Sequence, residues 1–258
     1  MRERFKLPKP FLRSTLPMLA AILLLGTGVF TISFISITRI SQSNERSKLE
    51  RLDHYYESIL SEIDALAISC STSNEIIDIL TGTEEQPELS YEAYHMAREY
   101  EKLLSAFIAT RPYLREICIY IENGNGLVFT STGFQALDRI ERGQWLSEQV
   151  KVVQGGNMFI VPFSTGDQDF IRTGRPVLNS NGKIIGLIIF DLNISFLSEA
   201  YLPYRTYDGE RLSVRTESGD LLFRYPRMDT EDRWMVSFSS RSGAFGWEYS
   251  LQIPYRSL

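Results

Sequence analysis

Cysteine and histidine are scarce: the 258 residues hold two of each, Cys70, Cys118, His54 and His95. This excludes a disulfide framework beyond one bridge, and no His or Cys spacing of metal-ligand type can be drawn. No Gly-x-Ser-x-Gly elbow occurs. Gly124-Asn125-Gly126 lacks both the third glycine and the Lys-Ser/Thr of a phosphate loop. The sequence therefore assembles no catalytic, metal or cofactor set. Charge is missing altogether from residues 14–38. A positive balance is missing from residues 39–258, which carry 22 basic and 31 acidic side chains. So acidic a body is a poor nucleic-acid binder, because attraction to phosphate needs a basic face. With 43% apolar and 23% charged residues, the chain has enough to bury for a real core, and wholesale disorder is excluded.

The uncharged stretch decides the topology. Leu16 to Ile37 is a mostly apolar run that makes roughly 33 Å of helix, against a hydrocarbon core of about 30 Å. Pro17 falls at its start, where proline costs a helix little. Arg2, Arg4, Lys6, Lys9 and Arg13 precede it against Glu3 alone. Positive charge on that flank predicts a cytoplasmic N-terminus (1–15), a membrane anchor (16–38) and an extracytoplasmic body after about residue 39. A cleaved signal peptide would have a shorter apolar region, typically about 7–15 residues, and a small-x-small cleavage site. This run ends in Phe34-Ile35-Ser36-Ile37 without one.

Next comes an uninterrupted stalk helix, 39–70. Leu49, Leu52, Tyr56, Ile59, Ile63, Leu66 and Cys70 repeat at 3-4 spacing over three heptads. Such a seam suits a homodimer paired through the stalk. It suits equally a helix laying one stripe on its own domain, and Leu60, Ala67 and Ile68 lie off the seam. Cys70 on this stripe and Cys118 within a strand read as small core hydrophobes, with a bridge between them left open.

Thr72 and Glu75 fit a capping box that opens a short helix to Leu80, and Tyr91–Thr110 is the next helix, stopped by Pro112. From there the period changes to two. Strands are predicted at 116–122, 127–132, 158–163, 170–178 and 183–192, with turns at Asn123–Gly126 and Asn179–Gly182 and a helix over 145–153. Asn193 caps a helix through Tyr201; Asn193-Ile194-Ser195 also matches a glycosylation sequon, but the cap suffices. Strands at 211–216, 221–225, 234–239 and 247–253 form a second block. The fold class is α+β, with a sheet domain over 71–202 and a small membrane-proximal β-rich subdomain over 203–258. About 50 residues are marginal alone, so the second block should dock on the first.

One pattern here resembles a known family. The membrane helix, the long helix and Asn181–Asn193, with Gly182, Gly186 and Asp191 followed by Ile194, Phe196 and Leu197, resemble the Cache family of extracellular sensor domains. The closing stretch Gly246–Tyr255 with Leu258 is similar to the last strand of the membrane-proximal half in sensor histidine kinases. Membrane-bound AraC-type regulators carry a similar region. The resemblance implies a PAS-like antiparallel sheet with a helical back and a small-molecule ligand of unknown identity. In those families a second membrane helix and an output module come next. Here the chain stops at Leu258, so the expectation is a sensor without its transmitter, or a partner of a separate cytoplasmic output protein.

Asp191 is the one charge inside an otherwise apolar strand. A buried carboxylate is costly unless paired, so it should meet a cation or line a pocket. The resemblance implies contact with the amine of a ligand. Arg172, on the strand expected to pair with 183–192, is the natural counterpart: it could clamp a ligand carboxylate, or close the site by pairing with Asp191. Trp145 and Tyr120 are candidates for an aromatic wall. Members of the family that bind amines have Arg and Trp close together, followed by Tyr and Asp; the stretch Arg142–Glu148 differs in spacing and has Leu146 in place of Tyr. The rival reading is a ligand-free or truncated receptor domain that serves only protein contacts.

Overall fold

The computed structural model describes residues 9–74, 76–77, 80, 91–121, 127–131, 133–136, 157–165, 168–226, 234–242 and 245–254. The turn expected at 123–126, the helix expected at 145–153 and Glu75 lie outside the described residues. The chain divides into two compact units, 1–48 and 49–258.

Helix α1 (Lys9–Ser71) is a single element of 63 residues. Its N-terminal part contains a window with mean hydropathy 2.3, none of it buried, so this helix is long and apolar enough to cross a membrane. Hydroxyls in that stretch bond to the helix itself. Thr27 donates to the Leu23 carbonyl (2.7 Å), Thr31 to Thr27 (2.7 Å) and Thr38 to Phe34 (2.8 Å). Such bonding lets polar side chains sit among lipid, where no water would satisfy them. The other end of α1 is closed by Thr72, whose hydroxyl donates to the Ile68 carbonyl (2.8 Å). Thr72 therefore closes α1; the capping box expected from Thr72 and Glu75 rests on Glu75, which lies outside the described residues.

In the second unit, α2 (Tyr91–Thr110) precedes a six-stranded antiparallel sheet. Its strands are β1 (Leu114–Ile121), β2 (Leu127–Thr130), β3 (Gly133–Ala136), β4 (Phe159–Thr165), β5 (Gln168–Leu178) and β6 (Ile184–Asn193), in the order β3-β2-β1-β6-β5-β4. β6 lies between β1 and β5, which is why its run is apolar on both faces. Gly182 takes a φ of +75° in the Asn179–Gly182 turn that joins β5 to β6. A side chain on Gly186 would begin 2.3 Å from the Tyr120 carbonyl oxygen, so only glycine lets β6 approach β1 there.

One face of this sheet meets the helices. Ile117, Ile119, Ile171, Ile188, Phe190 and Leu192 are buried in one core with Leu49, Leu52, Tyr56, Ile63 and Ala67 of α1. Arg175 of β5 holds Asp64 of α1 from the same side, at 2.5 and 3.0 Å. The seam expected to pair two stalks is therefore covered by the chain's own sheets. A sheet offers α1 the same apolar surface a second helix would, and the spacing of the seam does not distinguish them. A homodimer through the stalk would have to use the opposite face of the helix. Cys70 and Cys118 form no disulfide: Cys70 belongs to this core, and Cys118 packs on the other side of the sheet.

β6 leads directly into α3 (Ile194–Glu199), and the Asn193 side chain accepts from the Ser195 and Phe196 N–H groups as its cap. After a short turn at 202–204 come β7 (Arg211–Arg215), β8 (Leu221–Tyr225), β9 (Met235–Arg241) and β10 (Glu248–Pro254), a four-stranded sheet in the order β8-β7-β10-β9.

Candidate functional site

The second face of the six-stranded sheet carries the residues with chemistry. Strand alternation puts Leu187, Ile189 and Asp191 on this face of β6. Register adds Arg172 opposite Asp191 on β5, Glu116 opposite Asp191 on β1, and Tyr120 opposite Leu187. Arg172 donates Nε to Asp191 Oδ1 (2.7 Å) and an Nη to Oδ2 (2.8 Å), and the two residues are 2% and 1% exposed. This is the fork geometry in which both N–H groups meet both carboxylate oxygens. The guanidinium also lies over the Phe163 ring (4.2 Å) and near the Phe170 ring (5.2 Å), and Arg115 lies over the other aromatic, Phe170, at 5.1 Å. Aromatic faces attract a cation and shield it from water.

Of the residues expected from sequence, Asp191 and Arg172 are thus together. They pair with one another, so the charge-pairing alternative is the arrangement observed. Tyr120 is on the same face but four residues further along β6, about 13 Å at strand rise. It is buried with Val128, Leu187 and Ile189 and does not border the pair. Trp145 lies outside the described residues. Phe163 and Phe170 were not singled out from sequence. Phe170 was within reach, since it precedes Arg172 by two and must share its face. Phe163 becomes its neighbour only through the β4–β5 register.

The strand that carries Asp191 is tied to α1 a few residues later. The Tyr56 hydroxyl donates to the Leu197 carbonyl of α3 (2.8 Å). Its ring stacks on Tyr249 (6.0 Å) and meets Phe223 edge-on (5.7 Å). Burial pushes both the Tyr56 and Tyr249 phenols well above their ordinary value, and the neighbouring Asp53 carboxylate pushes Tyr249 further. An open cleft of about 1050 Å³ lies elsewhere, between the two sheets, lined by Asp64, Arg175, Glu217, Arg241 and Trp247 among others. Its charges are paired across each wall: Asp64 with Arg175 and Glu217 with Arg241. A large concavity alone does not make this the site. The buried charges on the sheet face are the stronger pointer, because only they need a polar partner to be tolerated.

No protein-family model and no curated protein matches the chain. Solved structures do. The sensory domain of the Campylobacter jejuni chemoreceptor Tlp3, solved with isoleucine bound, is similar over 86% of this chain and 95% of its own, with a TM-score of 0.54 at 14% identity. The sensor domain of the Vibrio cholerae histidine kinase DctB is similar over 84% and 98%, with a TM-score of 0.53 at 10% identity. The extracellular domain vpHK1S-Z8, assigned to a histidine kinase, is similar over 84% and 94%, with a TM-score of 0.58 at 10% identity. The fold is therefore that of the Cache-type, PAS-like sensory domains found outside the membrane in receptors of this kind. The long apolar N-terminal helix, two antiparallel sheets and helical back all fit it.

Proposed function

We propose that residues 49–258 are the extracytoplasmic ligand-sensing region of a single-pass membrane receptor, anchored by residues 16–38 with the N-terminus in the cytoplasm. The observation that carries this reading is the buried Arg172–Asp191 fork on the sheet face away from the helices. A ligand carboxylate has a match in the Arg172 guanidinium, and a ligand ammonium has one in the Asp191 carboxylate. A ligand bearing both a carboxylate and an ammonium replaces each lost partner with its like. That points to an amino acid or a similar zwitterion, the class to which the isoleucine of the Tlp3 structure belongs. The output would be a kinase or a transcription regulator, acting in this chain's continuation or in a separate cytoplasmic protein.

The test is a thermal-shift screen of the membrane-reconstituted chain against amino acids, dicarboxylates and sugars. A zwitterion should raise the melting temperature, and Asp191→Asn and Arg172→Gln should each abolish the shift. A hit confined to dicarboxylates or sugars would overturn the zwitterion assignment. The second reading, a ligand-free domain serving only protein contacts, is favoured by the closure of the fork itself. A uniformly blank screen would decide for it.

A further inference from the structure

Trp234 is 80% exposed, more than any other large apolar side chain among the described residues. The remaining exposed apolar side chains of residues 49–258 reach 45% at most, at Leu103. Soluble surfaces scatter single leucines freely, but a fully presented indole carries a large area that some environment normally covers.

Its position in the four-stranded sheet says which environment. The Ser242 hydroxyl, beside the start of β10, donates to Glu57 of α1 (2.7 Å). Two residues into the strand, Tyr249 stacks on Tyr56 and is held by Asp53. Moving along β10 toward its end therefore means moving along α1 toward Leu49. Met235 of β9 pairs with Pro254, the last residue of β10, and Trp234 comes just before Met235. Trp234 thus stands at the end of the sheet that lies toward Leu49, where the chain enters this unit. Leu49 is only twelve steps along the chain from Ile37, the end of the apolar run. That is about 18 Å of helix, and no more than about 42 Å even fully extended.

From the exposure and the tethered end together, we infer that Trp234 contacts the lipid headgroup region of the bilayer in which the chain is anchored. Tryptophan favours that zone because its ring is apolar while its indole N–H still finds acceptors there. The contact gives the sensor a second attachment to the membrane, beside the covalent one. The inference rests on the membrane-spanning reading of residues 16–37, and the experiment separates the two.

The full chain is reconstituted in phosphatidylcholine vesicles, and flotation with the vesicles checks the anchor on its own. Tryptophan emission is then compared in vesicles whose acyl chains are brominated near the carbonyl end or near the methyl end, for the native chain and for Trp234→Phe. Subtraction isolates Trp234 from Trp145 and Trp247. The expected result is quenching of the Trp234 emission at least about twofold by the shallow bromines and less by the deep ones, as an interfacial depth requires. If vesicles float with the protein yet native and Trp234→Phe chains are quenched alike, the inference is overturned while the anchor stands. Unquenched but blue-shifted Trp234 emission would also overturn it, in favour of a protein partner over the indole. Failure to float would remove the membrane reading and this inference together.

Discussion

Removing one member of the Arg172–Asp191 pair should be far more damaging than removing both. Asp191→Ala leaves a guanidinium at 2% exposure, packed between Phe163 and Phe170, with its carboxylate gone. Breaking a buried pair on one side costs about 3–5 kcal/mol. For a unit of this size 1 kcal/mol moves the melting temperature by about 2–4 °C, so the drop should be roughly 6–20 °C. Arg172→Met removes the other member of the pair and should cost a similar amount. The double replacement Arg172→Met/Asp191→Leu should be near neutral or stabilising by about 1–4 kcal/mol, since two desolvated charges are replaced by apolar side chains of similar volume. The assay is chemical denaturation of the native chain, the two single variants and the double variant. Single-variant costs below about 1 kcal/mol, the range of exposed ion pairs, would refute the argument. So would a double variant as unstable as the singles, because the pair would then contribute something other than mutual neutralisation.

Three further outcomes can be checked by the same means. Glu62 accepts from Tyr113 (2.5 Å) and Arg111 (2.7 Å), and the Tyr113 bond foremost holds its carboxyl below the ordinary value of 4.5. Its contribution is complete above the unfolded value and fades as pH falls through the lowered one. The stability gap between the native chain and Glu62→Gln should accordingly be flat above about pH 5 and close in stronger acid; a gap that widens toward acid would contradict this. Gly186→Ala should cost at least about 1–3 kcal/mol, the usual range of overpacking, because the new Cβ meets backbone at 2.3 Å and nothing flexible can yield; an unchanged denaturation midpoint would count against the β1–β6 approach. Tyr56→Phe keeps the stacked ring but strips the buried Leu197 carbonyl of its donor, a loss of about 1–3 kcal/mol, and faster amide exchange within α3 would locate the effect.

Much of the sheet could be read from local chemistry. The turn residues Asn179–Gly182 joined β5 to β6, and the two-sided apolar run marked β6 as central. Asp191 stood out because it was the one charge in that run, and an antiparallel partner across a short turn brought Arg172 to it. The rest depended on pairings with no local signal. β1 lies beside β6 although some sixty residues separate them, and only that register sets Glu116 against Asp191. Phe163 reached the guanidinium in the same way. The stalk seam was ambiguous for a different reason: its 3-4 spacing records that α1 buries one stripe, and the covering surface turned out to be sheet. The cleft between the two sheets is likewise set by how two blocks dock, which no single stretch of sequence encodes.

The hydrogen bond from Tyr56 to the Leu197 carbonyl has a consequence for how news of an occupied site would travel. Six residues of chain run from Asp191 to that carbonyl, through the capped start of a short helix, and the phenol at the other end belongs to the helix that continues toward the anchor. A shift in the backbone around Asp191 would thus meet α1 at Tyr56 through this bond as well as through the core the two elements share.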